Sequence, residues 1–115
     1  MLELHCTTWC ESPDNPRSEC HAWSAAPVYE NSAMLLGVQP ITSGYGEVLI
    51  KPDIAFCDWA KGTVPTPRGI ISVSWEKVDG CKLLKISAPT GMKKRIILPS
   101  GETIVTDAEL YTAKI

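Results

Sequence analysis

The sequence predicts a mainly β protein: an antiparallel β-sandwich of Greek-key or jelly-roll type, preceded by a loop and one helix. Three observations carry this. Residues 70–88 hold two runs of apolar alternation on either side of Asp79-Gly80, the pattern of half-buried strands joined by a tight hairpin. Beyond Gly37, short apolar runs recur between prolines and glycines, the punctuation of a many-stranded fold. One stretch only, residues 24–36, reads as a helix.

Residues 1–20 have no sustained period. Leu2, Leu4 and Trp9 are apolar, and Ser12-Pro13-Asp14-Asn15-Pro16 is a loop in almost any context, with two prolines among turn formers. A segment of this kind cannot bury itself alone. From Ser24 to Leu36 a helix is expected, with Ser24 as N-cap, Pro27 tolerated in the first turn and Glu30 favourable to the helix dipole. Val28, Met34 and Leu35, with Ala25 and Leu36 beside them, make its apolar face, and Gly37 ends it.

After Gly37 the grammar changes. Val48 and Ile50 alternate with Leu49 and Lys51 in a short strand closed by Pro52. Thr63 to Gly69 carries Pro65 and Pro67 and is expected as a loop or an edge strand. Ile71, Val73 and Trp75 share one face, opposite Ile70, Ser72 and Ser74. Past the turn, Leu84, Ile86 and Ala88 share a face, with Leu83, Lys85 and Ser87 opposite. Lys94–Leu98 and Thr103–Thr106 form another pair around Pro99-Ser100-Gly101.

The 115 residues carry a net charge of -2, with 44% hydrophobic and 21% charged residues. That suffices for a core and gives no field to draw in nucleic acid or an anionic membrane; neither is expected as a partner. Lys93-Lys94-Arg95 is a weak basic patch. No apolar run approaches the roughly 20 residues of a membrane span, and Met1-Leu2-Glu3-Leu4-His5 lacks the basic and apolar regions of a signal peptide. The five cysteines are an odd number, which argues against a disulfide framework.

The chemistry concentrates in Thr7–Glu11 and Arg17–Pro27. Cys6, Cys10, Cys20 and His21 lack the paired spacing of a structural zinc site, so neither metal nor cofactor is expected. Cys20 and His21 are adjacent in sequence, which seldom makes a nucleophile and its base. Glu11, among Trp9, Cys10 and a proline loop, suits a general base in a partly apolar pocket, or a solvated surface carboxylate. Trp9 and Trp23 suit stacking on a sugar ring with His21 bonding its hydroxyls, or simply a core.

The run Arg-Ser-Glu-Cys-His-Ala-Trp-Ser-Ala-Ala-Pro (17–27) is similar to a motif of bacterial α-L-rhamnosidases, the family 78 glycoside hydrolases. The likeness continues through Leu35-Leu36-Gly37-Val38-Gln39-Pro40 and Val48-Leu49-Ile50-Lys51-Pro52. It then runs through Gly62-Thr63-Val64-Pro65-Thr66-Pro67-Arg68-Gly69 and Val73-Ser74-Trp75, covering roughly residues 5–100 in the family's order and spacing. The resemblance implies that residues 1–37 are the C-terminal remnant of an (α/α)6 catalytic barrel and residues 38–115 a C-terminal β-sandwich domain. It implies an inverting hydrolase of terminal α-L-rhamnose from glycans or glycosides, in a bacterium, whether cytoplasmic, periplasmic or secreted. Glu11 matches the general base, and His21 and Trp23 match positions lining the rhamnose pocket. The general acid has no counterpart in this chain, so the fragment is expected to be inactive alone. Its partners would be the rest of the barrel and, through it, a rhamnose-containing glycan. Apolar surface left on residues 1–36 would favour self-association. The alternative is a stand-alone carbohydrate-binding β-sandwich in which Trp59 or Trp75 stacks on a glycan.

Overall fold

The computed structural model describes Ser12, Ala22, residues 26–55 and residues 57–115. The chain divides into two compact units, Met1–Asn31 and Ser32–Ile115. In the first unit, α1 spans Ala26–Glu30, with Pro27 in its first turn, where a missing N–H goes unused. The expected N-cap, Ser24, lies outside the described residues, as does Ala25. The helical path continues as one π-helical turn over Asn31–Leu35.

The expected apolar face is only partly buried. Val28 and Met34 are 57% and 64% exposed, whereas Ala33 and Leu36 are buried. A turn closed by i→i+5 bonds shifts which residues share a side, so of the face read from 3.6-residue spacing Leu36 is buried and Leu35 packs against the core, while Val28 and Met34 are exposed. Gly37, at φ 72°, ends the segment in the left-handed region that glycine adopts without penalty. The end of the helical segment is tied to the next strands: Lys51 N donates to Gly37 O at 2.9 Å, Asp53 N to Leu35 O at 3.0 Å and Gln39 Nε2 to Ala33 O at 3.0 Å. These bonds satisfy carbonyls that a helix end leaves open.

Eight strands follow among the described residues: β1 (Val38–Pro40), β2 (Glu47–Ile50), β3 (Trp59–Thr66), β4 (Gly69–Val78), β5 (Cys81–Ser87), β6 (Lys93–Ile97), β7 (Thr103–Thr106) and β8 (Leu110–Lys114). They make two four-stranded sheets, β1-β2-β6-β7 and β3-β4-β5-β8. Every pairing is antiparallel except β2 with β6, which is parallel. The chain therefore passes from one sheet to the other after β2, β5 and β7.

The β4–β5 hairpin has the register Val78↔Cys81, with Asp79 at φ 50° and Gly80 at φ 81°. Both central residues thus have the positive φ that a two-residue type I′ turn demands. Thr63–Gly69, expected as a loop or an edge, is the end of edge strand β3 and its turn. There Thr66 Oγ1 donates to Gly69 O at 2.6 Å and accepts from Arg68 N at 3.2 Å. Pro65 is tolerated because an edge strand needs no donors on its outer side.

One hydrophobic cluster joins the sheets: Val48, Ile50 and Ile96 from one, Ile71, Val73, Trp75, Leu84 and Ile86 from the other. A shared core between two sheets is what makes a sandwich. The faces follow the alternation, with Ile71, Val73 and Trp75 buried and Ile70 63% exposed. Lys94 departs from the surface patch expected of Lys93-Lys94-Arg95. It has no exposed area, because the strand's period of two turns it inward beside Ile96. Its Nζ donates to Met92 O at 2.9 Å.

Candidate functional site

Glu11, His21, Trp23 and Trp9, the predicted site residues, lie outside the described residues, as do Cys6, Cys10 and Cys20. Among the described residues, a shallow depression lies on each sheet.

The first, about 410 Å³, is lined by Met34, Gln39, Leu49, Lys51, Asp53 and Pro99, among others. It forms because Gln39 on β1, Leu49 on β2 and Lys51 just past β2 point away from the core, under the segment that ties back to Leu35. Its ionisable groups are one lysine and one carboxylate.

The second, also about 410 Å³, lies on the outer face of β3, β4 and β5, and Trp59, Lys61, Ser74, Glu76, Leu83 and Lys85 contribute to it. Register places them in two rows across the sheet. Trp59 lies opposite Glu76, which lies opposite Leu83, which lies opposite Lys114. One step along, Lys61 lies opposite Ser74, which lies opposite Lys85, which lies opposite Thr112. Residues directly opposite on one face sit about 4.5–5.5 Å apart at Cβ, so each row is a continuous band of side chains. Trp59 is 71% exposed, whereas Trp75 is 2% exposed. Trp75 is thus a core residue and no sugar platform. The β3 backbone is steadied from below: Lys82 Nζ donates to the Ile54 and Cys57 carbonyls, and Cys57 Sγ donates to Trp59 O at 3.0 Å.

Among the described residues, the surroundings of Lys94 and Tyr111 shift them from their ordinary values. Burial pulls the Lys94 ammonium below 10.5, against the attraction of Asp107 and Glu109. Burial, with a smaller contribution from Glu102, pushes the Tyr111 phenol above 10.0. Neither lines a depression. Each depression holds one carboxylate, Asp53 in the first and Glu76 in the second, and inverting hydrolysis needs two. No group of three or more His, Cys, Asp or Glu among the described residues could hold a metal ion. The exposed Trp59 could be singled out in sequence only as one of two candidate tryptophans, because Asp58-Trp59-Ala60 does not read as a strand start.

Residues 37–111 match the family described as bacterial alpha-L-rhamnosidase C-terminal domain. An alpha-L-rhamnosidase of Alteromonas sp. (strain LOR) is 28% identical over 72 residues, which are 62% of this chain and 8% of that protein. Among solved structures, the alpha-L-rhamnosidase of Aspergillus terreus superposes with a TM-score of 0.71 at 19% identity, over 90% of this chain and 12% of that one. The enzyme from Dictyoglumus thermophilum gives 0.71 at 20% identity, over 86% and 12%. The Streptomyces avermitilis enzyme, solved with L-rhamnose, gives 0.61 at 25% identity, over 71% and 8%. The chain therefore spans 8–12% of the length of these relatives.

Proposed function

This chain belongs to the bacterial alpha-L-rhamnosidase C-terminal domain family, and from that premise we propose that it is the closing piece of an inverting α-L-rhamnosidase. In this reading residues 1–37 complete an (α/α)6 barrel and residues 38–115 are the sandwich that buttresses it. Glu11 is the general base that activates water, and His21, Trp23 and Trp9 line the rhamnose pocket. The general acid comes from elsewhere in the barrel. The match of residues 37–111 to this family carries the proposal. One feature supports it: the helical segment leaves Val28, Tyr29 and Met34 exposed, apolar area that a covering barrel would remove from water.

The test is release of p-nitrophenol from its α-L-rhamnoside. The 115-residue chain alone should give none. The full-length enzyme carrying this sequence should turn over, and Glu11→Gln in it should lower kcat by about 10²–10⁴, the range of a lost general base. Turnover by the isolated chain, or a full-length E11Q enzyme as fast as its parent, would refute the assignment.

A further inference from the structure

We propose that the outer face of β3, β4 and β5 binds an acidic pyranose, its ring stacked on Trp59 and its carboxylate held by Lys61 and Lys85.

Three observations converge. The first is Trp59 itself. Tryptophan is among the more buried residues of folded proteins on average, and the core already has its tryptophan in Trp75. At 71% exposure Trp59 adds little to that core. It stands on an edge strand at the rim of the depression. A flat, polarisable ring in that position suits the C–H face of a sugar.

The second is charge. The two rows carry Lys61, Lys85 and Lys114 against one carboxylate, Glu76. That is a formal +2 on one face of a chain whose net charge is -2. Lys61 and Lys85 flank Ser74 with one strand between them, so their Cβ atoms stand about 9–10 Å apart. Two long, flexible stems can converge on a carboxylate above Ser74, whose hydroxyl is left to bond a ring hydroxyl. No ion pair with Glu76 engages either lysine. A neutral sugar would use Trp59 and Ser74 but leave this charge unanswered, so the charge favours a uronic acid.

The third is size. At about 410 Å³ the depression falls within the range of small-ligand sites, and as an open one it suits a unit of a longer glycan.

This site needs neither a barrel nor hydrolysis, so its failure would leave the rhamnosidase reading intact, and the reverse holds too. The experiment titrates the 115-residue chain with methyl β-D-glucopyranosiduronate and, separately, with methyl β-D-glucopyranoside. Amide and indole resonances of the face are followed by NMR. The uronate should shift Trp59, Lys61 and Ser74, and added salt should weaken it. Trp59→Ala should weaken it by about tenfold or more. A K61Q/K85Q double variant should reduce the uronate to the affinity of the neutral glycoside. All these side chains point away from the core, so the variants should keep the wild-type fold. Equal binding of the two glycosides, uronate binding indifferent to W59A, or no shifts at this face would overturn the proposal. So would sedimentation showing that Trp59 joins two copies of the chain and that the uronate does not separate them.

Discussion

Replacing Lys94 with methionine should stabilise this protein, and replacing it with alanine should leave it less stable than the methionine variant. Lys94 has no exposed area and lies in β6 between Val48 of β2 and Thr106 of β7. Its ammonium donates to Met92 O, and the acidic groups that attract it, Asp107 and Glu109, are exposed. Desolvation outweighs that attraction and holds its pKa below 10.5. Methionine keeps an unbranched stem of similar size. It forfeits a bond worth about 1 kcal/mol but removes a buried charge whose desolvation costs on the order of several kcal/mol. Alanine also discards a buried methylene, a sulfur and a methyl group, so it should fall about 2–5 kcal/mol below methionine. The pH dependence has a definite sign. Once the pH reaches the lowered folded value, the unfolded chain binds more protons at this lysine than the folded chain, so wild-type stability rises with pH from there through 10.5. The advantage of K94M should shrink in parallel. The assay is urea unfolding of the three proteins between about pH 6 and 9.5. The series stops there because Tyr111, held protonated above 10.0 in the fold, contributes stability that is lost at higher pH. A K94M protein less stable than wild type, or an advantage that grows with pH, would refute the reasoning.

Gly37→Ala should destabilise by about 2 kcal/mol or more, since a Cβ there overlaps the Lys51 carbonyl and φ is 72°; thermal melts against wild type read this directly. Leu84→Ala, at a site with no exposed area, should cost about 2–5 kcal/mol. Leu84 lies directly opposite Trp75, so the tryptophan emission of the folded state should also shift.

Much of the second sheet was legible in sequence because its central strands are amphipathic and locally joined. Ile71, Val73 and Trp75 alternate with polar residues, and Asp79-Gly80 can scarcely be anything but a turn. β8 escaped because Leu110, its largest aliphatic residue, points outward at 66% exposure, while the half-buried positions are Tyr111 and Ala113. β1 is three residues long and too short for any period to show. Lys94 escaped because residue type outweighed position: a lysine between Lys93 and Arg95 reads as solvated, whatever face the strand gives it. The parallel pairing of β2 with β6 has no local signature. Of the site, Glu11, His21 and Trp23 stand out by family likeness, and Trp9 by residue type alone. Trp59 was named from sequence too, but its lysine neighbours become visible only once register is known.

The parallel pair has a consequence for the order in which this chain can fold. Each residue of β2 pairs with one 46 positions later, as in Glu47↔Lys93, whereas β3, β4 and β5 are joined through two-residue turns. Closing the longer loop costs more entropy and returns contacts only after much of the chain has been made. The three-stranded meander can form as soon as residue 87 is available, but β2 must wait for a partner that comes later in synthesis. In pulsed hydrogen exchange, amides of β4 should gain protection before those of β2. During synthesis, β2 has no ladder partner beyond the short β1 until β6 has been made.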